Sequence, residues 1–428
     1  MSEAATTKAD PLSVATAVIS APVMDDDRSG GTFRSLKYRD YRLLWIGTLF
    51  TSSGQWIQQI TVGWLTYELT NSAFLLGAVN GFRALPLLFF APLGGVAADR
   101  VERKLLMQLT QVGLLIATAI MAAVVFSGQL KLWHLFAFTF ITGIAWAFNN
   151  PVRQSVVVNL VPKHDLMNAL ALNSAGFNIT RIVGPSIGGF MIAHMGGGEN
   201  FTLQSTFYIG VIAMVSMMVI PAVASRKAVV SVRQNLTDGF SYVMHHPQLR
   251  IQLALAFVPT ILAFPYMALM PIFAEDVLGK GASGFGLMGS AVGIGAVVGT
   301  LTLATLKNVQ HKGHLMIVSV FVLGSSLILF ALSRSFELSL VILMVTGAAQ
   351  MLYLTTNQTI LQLTIEDEMR GRVMGIYMLS QGMMPLGGLI GGGLADVTSA
   401  PTAVLIMGVG VCVMAVTFFT FARELREV

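Results

Sequence analysis

Two arginines, Arg83 and Arg181, stand inside long apolar stretches with no acid at comparable depth. A charge in the middle of a stretch long enough to span a bilayer costs roughly 3 kcal/mol or more, so it normally faces a polar interior. Two chemistries satisfy such a group. The guanidinium ties helices together through backbone carbonyls, or it meets an anion or polar oxygen in a cavity. In the second case its planar fork suits a carboxylate, catecholate or phosphate. Amides and aromatics fall on helical faces nearby. Asn80 lies three residues before Arg83, and Asn173, Phe177 and Arg181 recur every four. Gln55 and Gln59 share a face, as do Gln350, Tyr353 and Asn357, and Tyr377 and Gln381. Trp146, Asn149 and Asn150 end another apolar run. Buried amides need partners, so these residues either line a wet cavity or bond to one another between helices.

The segment Gly94 to Lys104 reads GGVAADRVERK, with a G-x-x-x-D-R-x-x-R-K core from Gly95. Gly95 lets two helix ends approach closely. Asp99 can accept from the N-terminal amides of a neighbouring helix and from nearby arginines. With Arg100, Arg103 and Lys104 it makes a charge cluster that could hold two helix bundles together in one state and release them in another. Further on, NITRIVGPSIGG runs from Asn178 to Gly189. Gly184, Pro185, Gly188 and Gly189 combine a helix-kinking proline with small faces that another helix can touch. Small-xxx-small spacings recur at Gly77/Gly81, Gly289/Gly293, Gly295/Gly299 and Gly388/Gly392. Pro259, Pro265 and Pro271 interrupt one apolar run three times, as a bend near a cavity or gate would.

These residues must be held by elements whose solvent is lipid. Of the 428 residues, 11% are charged and 54% hydrophobic, against about 25% charged in an average soluble domain. That excludes a soluble globular chain, and disorder over most of the length. Long continuous apolar runs, in place of alternating strands, exclude a transmembrane barrel. Twelve runs fall roughly at 43–67, 72–98, 104–127, 131–150, 166–193, 201–223, 251–274, 283–306, 313–333, 337–362, 372–395 and 400–422. Each approaches the length of about 20 residues that a span needs. An even number puts both termini on one side. With that side taken as the cytoplasm, the inner segments hold 21 of the 26 Lys and Arg, and the outer loops hold Lys131, Lys280 and Arg334. This bias orients the chain and accounts for its net charge of +5 without nucleic acid.

The organisation follows. Residues 1–32 read as a disordered tail, 33–223 as a first six-span bundle, 224–250 as a polar cytoplasmic linker, and 251–428 as a second bundle. Phe33 to Arg42 interleaves aromatics and cations, as an interfacial anchor helix would. Leu236, Phe240 and Val243 predict an amphipathic helix on the inner surface. A faint repeat relates the halves. A shift of 204 residues pairs Gly184 with Gly388, and a shift of 212 pairs Gly77 with Gly289 and Gly81 with Gly293. The single cysteine, Cys412, cannot form an intrachain disulfide and reads as a small buried hydrophobe. No G-x-x-x-x-G-K-[ST] or H-E-x-x-H occurs, and the seven histidines lack ligand spacing. Neither a cofactor, a metal nor an enzymatic activity is expected. The acids lie in tails, in loops or near span ends, with Glu68 and Asp396 closest to the membrane at its outer face.

Several stretches together resemble the major facilitator superfamily. They are SLKYRDYRLLWIG and WIQQITVGWLTYELT, the GGVAADRVERK loop, the run from Asn150 to Gly189, and GFSYVMHHPQLR. Within it the chain is most similar to the drug-efflux branch of transmembrane secretion effectors, which includes the enterobactin exporter and macrolide-efflux-like proteins. The resemblance implies an all-α membrane protein of twelve transmembrane helices in two pseudo-symmetric six-helix bundles. It implies a secondary active exporter of small amphipathic molecules, drug-like or siderophore-like, working by alternating access and proton antiport. In such families the Asp-Arg loop is a conformational latch, a role carried here to Gly95, Asp99, Arg100, Arg103 and Lys104. The Gly-Pro-rich fifth helix, here Gly184, Pro185, Gly188 and Gly189, is associated with export by antiport.

There are departures from the pattern. Glu102 stands where many relatives have glycine. The fourth span lacks an arginine that many proton antiporters carry, and the second half has only Lys307 to Lys312 where a second latch would fall. These bear on proton coupling more than on fold. Rival readings are an importer of an anionic nutrient, a lysolipid flippase, or a membrane sensor that moves nothing. The expected partners are a small-molecule substrate and the lipid bilayer, not nucleic acid. The chain is expected to be a monomer in the inner (plasma) membrane, with both termini cytoplasmic.

Overall fold

The computed structural model describes residues 31–86, 89–90, 97, 101–220, 232–305 and 311–421. Among them every regular element is a helix. The first part of the chain gives α1 (Arg39–Thr70), α2 (Ala73–Phe82), α3 (Arg103–Phe126), α4 (Leu132–Leu160), α5 (Leu166–His194) and α6 (Gly197–Met217). The second gives α7 (Val232–His245), α8 (Pro247–Leu262), α9 (Tyr266–Ile272), a π-turn over Phe273–Val277, and α10 (Gly281–Thr305). Then come α11 (Lys312–Leu332), α12 (Phe336–Thr364), α13 (Asp367–Gln381), α14 (Met384–Val397) and α15 (Ala400–Phe421). Eight stretches are long and apolar enough to cross a membrane: α3, α4, α8 through Val277, α10, α11, α12, α13 with α14, and α15. Helices α1 and α6 have the length but are more polar. In α1 the hydroxyls of Thr48, Thr51, Thr61 and Thr66 each turn back onto the carbonyl four residues earlier, which satisfies them inside the helix.

Local chemistry sets the ends. Asn71 takes the left-handed conformation at φ 47° and ends α1, a geometry asparagine tolerates. Ser72 then accepts from the amide of Leu75 at 3.2 Å and starts α2, so two residues make the whole turn. Gly196, at φ 117°, makes the turn from α5 to α6. Helix α4 continues ten residues beyond the end of its apolar run. Val152, Val156 and Val157 stay buried past Pro151, so packing carries the helix on, and Arg153 sits in a helix rather than in a connecting loop. The three prolines of the seventh run open a break between Leu262 and Tyr266, followed by the π-turn.

Two expected surface helices look different in the structure. The segment Phe33 to Arg42 is not one anchor helix. Arg34–Lys37 is a single 3-10 turn, and α1 begins only at Arg39. The turn is pinned by Asp165, whose side chain is only 1% exposed. Arg34 Nε lies 2.8 Å from its carboxylate, and Lys37 and His164 each lie 3.5 Å away. The Tyr38 hydroxyl donates to it at 2.7 Å. Burial alone would raise the Asp165 pKa, but the Tyr38 bond and the neighbouring cations outweigh it and hold it below the usual carboxylate value. Helix α7 packs against α13, with Asp238 3.2 Å from Arg372. Val243 turns inward and Phe240 outward, so those two residues do not share a face.

The helices pack as long pairs, α1 with α5 and α10 with α12 running parallel, α3 with α6 and α11 with α15 antiparallel. Two further pairs join the parts of the chain on either side of residues 221–231, namely α5 with α10 and α2 with α14. Both rest on missing side chains. A Cβ on Gly77 would overlap the Gly388 carbonyl, and a Cβ on Gly189 would stand 2.5 Å from the Ala282 oxygen. The largest core cluster lies among α8 to α12 and α15. Leu109, Ile116, Ile120, Val298, Leu301, Leu329 and Val413 point outward, an apolar belt that suits lipid.

Candidate functional site

Between these two crossing pairs lies a cavity of about 440 Å³. Helix α1 contributes Trp56 and Gln59, and α2 contributes Asn80 with Arg83 just past its end. Helix α4 gives Trp146 and Asn150, and α5 gives Arg181 and Pro185. The opposite wall is Phe264 and Pro265 at the α8–α9 break, Met267 and Met270 on α9, Phe285 and Gly289 on α10, and Met384 and Gly388 on α14. Two guanidinium groups and three amides thus face aromatic and methionine walls, and among the described residues no carboxylate lines the space. Arg181 lies over the Trp56 indole, 5.7 Å from the ring centre, and Phe177 packs against the same ring at 5.9 Å.

One end of the cavity is closed by bonds between the two parts of the chain. The Tyr67 hydroxyl donates to Asp276 at 2.5 Å. Asp396, in the last turn of α14, accepts from the Ser72 hydroxyl at 2.8 Å and from the backbone amides of Ala73 and Phe74 at 2.7 and 3.1 Å. It therefore caps α2, where an anion meets the positive end of the helix. Midway along α5 and α10, the Ser186 and Ser290 hydroxyls lie 2.6 Å apart, and Ser290 also donates to the Ile182 carbonyl. Hydrogen bonds thus join the two parts at that end and in this middle pair.

The residues singled out by the sequence distribute unevenly. Gln59, Asn80, Arg83, Trp146, Arg181 and Pro185 come together in the cavity lining. Asn149 does not line it: its amide donates to Thr110 at 2.9 Å, and Asn150 takes the lining place. Gln55 sits beside the lining with its Oε1 buried and unpartnered. Asn173 is half-buried on the α5 face one turn from Phe177. Tyr353 is buried and donates to the Leu255 carbonyl at 2.6 Å, a tie between α12 and α8. Gln350 and Asn357 are buried near it on α12, and Tyr377 is buried on α13. Gln381 ends α13, and its side chain lies outside what the structure describes. Gly184 lets Trp56 approach, where a Cβ would stand 2.6 Å from that residue's own, and Gly188 faces Ile57.

Of the charged loop, Gly95, Asp99 and Arg100 lie outside the described residues. Arg103 and Lys104 open α3. Lys104 Nζ donates to the carbonyls of Ser216 and Met218, each at 2.8 Å, and so holds the C-terminal end of α6. Sequence reasoning missed Tyr67, Asp276 and Ser290. The signal for Asp396 was present, as an acid at the very end of an apolar run. Among the described residues no cluster of His, Cys, Asp and Glu could hold a metal ion.

The staphyloferrin A transporter of Staphylococcus aureus (strain NCTC 8325 / PS 47) is 27% identical over 379 residues, covering 87% of this chain and 94% of its own length. The multidrug efflux pump Tap of Mycolicibacterium fortuitum is 25% identical over 398 residues, covering 90% and 96%. The crystal structure of a D-xylose–proton symporter superposes with a TM-score of 0.71 at 13% identity, covering 92% of this chain and 99% of that one, which shows a shared fold. Family and relatives are transporters, not enzymes, and the apolar helices make this a multi-pass membrane protein. The family model for transmembrane secretion effectors matches residues 30–428, and the chain therefore belongs to that family of the major facilitator superfamily.

Proposed function

We propose that the protein is a secondary active exporter of small amphipathic molecules, drug-like or siderophore-like, that works by alternating access. The observation that carries this is a cavity lined from both parts of the chain and closed at one end by bonds between them. In this reading α1–α6 and α8–α15 are two halves of six spans each, with α8–α9 and α13–α14 each forming one bent span. The faint repeat supports the symmetry. Gly77 on α2 meets Gly388 on α14, and the repeat partner of Gly77, Gly289 on α10, meets Pro185, beside the repeat partner of Gly388. The two crossing pairs are thus exchanged by the repeat. The lysine and arginine bias supports both termini in the cytoplasm, and in that orientation the closed end is the outer one and the cavity belongs to an inward-facing state. The likeness to a multidrug efflux pump supports an efflux direction.

Proton antiport is the proposed drive, with a limit set by the cavity. Since no carboxylate among the described residues lines it, the proposed proton carrier on the protein is an acid at a span end, such as Asp40, Glu68 or Asp99. The test is flux in everted membrane vesicles with a panel of radiolabelled anionic, neutral and cationic amphiphiles, with and without a pH gradient. Export predicts uptake into these vesicles that falls at least severalfold when the gradient is collapsed. Inward-only movement would favour the importer on this fold, and no movement would favour the sensor.

A further inference from the structure

The cavity carries a charge problem that its substrate must solve. Arg83 and Arg181 line it, and neither guanidinium has a hydrogen-bond or ion-pair partner among the described residues. A buried cation without a counter-charge is costly, and two of them in one cavity also repel each other. The protein partly compensates at Arg181, whose guanidinium lies over the negative face of the Trp56 ring. That contact leaves the edge of the guanidinium, where its N–H donors lie, available to a planar oxyanion. The walls around the charges are apolar: Trp146, Phe264 and Phe285 with Met267 and Met270. An inorganic anion would leave this surface bare.

Resting on the reading of this cavity as the transport site, we propose that the substrate is an anionic amphiphile, whose carboxylate or equivalent planar oxyanion is held by Arg83 and Arg181 and whose apolar body lies against the aromatic and methionine wall. The charge also links binding to movement. Arg181 sits where α5 crosses α10: a Cβ on Gly293 of α10 would stand 2.8 Å from the Arg181 carbonyl. Closing the second end around an empty cavity would confine two unpaired cations. An anion removes that penalty, so the loaded protein closes more readily than the empty one.

The probes are radiolabelled 2-naphthoate and its neutral isostere 2-naphthamide, measured at equilibrium on the full protein in nanodiscs with empty nanodiscs subtracted. The naphthoate should bind at least about tenfold more tightly than the amide. Arg83→Gln and Arg181→Gln should each erase most of that advantage while leaving naphthamide binding within about twofold, which also shows that the variants are folded. Arg83→Lys and Arg181→Lys should keep part of it, because the charge remains and the fork is lost. Equal affinity for the two probes would overturn the proposal, as would equal losses of both in the glutamine variants, or no binding of either. This binding preference is independent of flux direction. Its failure leaves the exporter reading standing, and a failure to export leaves the preference standing.

Discussion

Asp396 accepts the backbone amide of Ala73 at 2.7 Å across 323 residues of chain, and the same carboxylate takes the Phe74 amide and the Ser72 hydroxyl. A helix normally leaves its first amides to its own cap. Here Ser72 caps from within and Asp396 caps from far along the chain, so the start of α2 is complete only while α14 lies against it at this end. Glycines make the approach possible. On α14, Gly388 and Gly392 face the Gly77 and Ala73 carbonyls of α2, and Asp396 lies one turn further on.

This bond should bias which end of the protein is open. Asp396→Asn keeps the shape and an accepting oxygen but removes the charge. An anion at a helix N-terminus contributes about 0.3–1 kcal/mol, about two- to fivefold in population. Asp396→Ala also removes the acceptors and should act more strongly. With spin labels at Leu69→Cys and Thr398→Cys in a Cys412→Ala background, pulsed dipolar spectroscopy should show a short distance in the parent. The long-distance population should grow in Asp396→Asn and grow further in Asp396→Ala. Unchanged distributions in both variants would mean that the bond follows closure without contributing to it.

The Asp165 cluster makes a separate prediction, about the start of the chain. Its carboxylate is held below the usual pKa, so its contribution is present above the ordinary carboxylate value of about 4 and is lost as pH falls through the depressed value. Asp165→Asn removes charge-assisted bonds worth about 1.5–3 kcal/mol, about ten- to hundredfold in the population of the undocked turn. Trypsin should cleave after Arg34 or Lys37 faster by that order, with the rest of the digest unchanged. Between about pH 5 and 3 the Tm of the parent should fall more steeply than that of the variant. Equal slopes would show that Asp165 keeps its proton equilibrium on docking.

What the sequence made legible was local. The apolar runs located the eight stretches long and apolar enough to cross a membrane, because such a stretch is continuous whatever its neighbours are. The spacing of Asn80 and Arg83, and of Phe177 and Arg181, marked faces that do meet in the cavity or at its edge. The same periodicity also selected Tyr353 and Asn149, whose polar atoms are spent on the Leu255 carbonyl and on Thr110. A polar face on a helix reports a partner, and periodicity does not say whether that partner is a cavity or another helix. Tyr67 with Asp276 and Asp165 with Arg34 are separated by 209 and 131 positions, and no local pattern pairs them. The end of α4 was hidden for a different reason. Asn149, Asn150, Arg153 and Gln154 look like a loop until the buried stripe of Val152, Val156 and Val157 is seen beneath them.

The proposed latch loop that carries Asp99 would act as a counterpart to Asp396. Along the sequence Asp99 falls between α2 and α3, and Asp396 caps the start of α2. In the proposed cycle the two acids stabilise opposite states. Asp396 holds the outer end shut while the cavity faces inward, and Asp99 holds the inner end shut while it faces outward. Removing either charge should then shift the same equilibrium in opposite directions. Asp396→Asn raises the long-distance population between Leu69→Cys and Thr398→Cys, and Asp99→Asn lowers it. If the two acids act independently, their effects should add, and the double variant should return close to the parent distribution. Transport need not recover with it, since each closed state would have lost part of its support. Asp99→Asn alone should slow flux while the amount of protein in the membrane stays the same, because insertion is decided by the spans. A double variant that shifts further than Asp396→Asn would show that both acids favour one state, and the opposed-latch cycle would have to be abandoned.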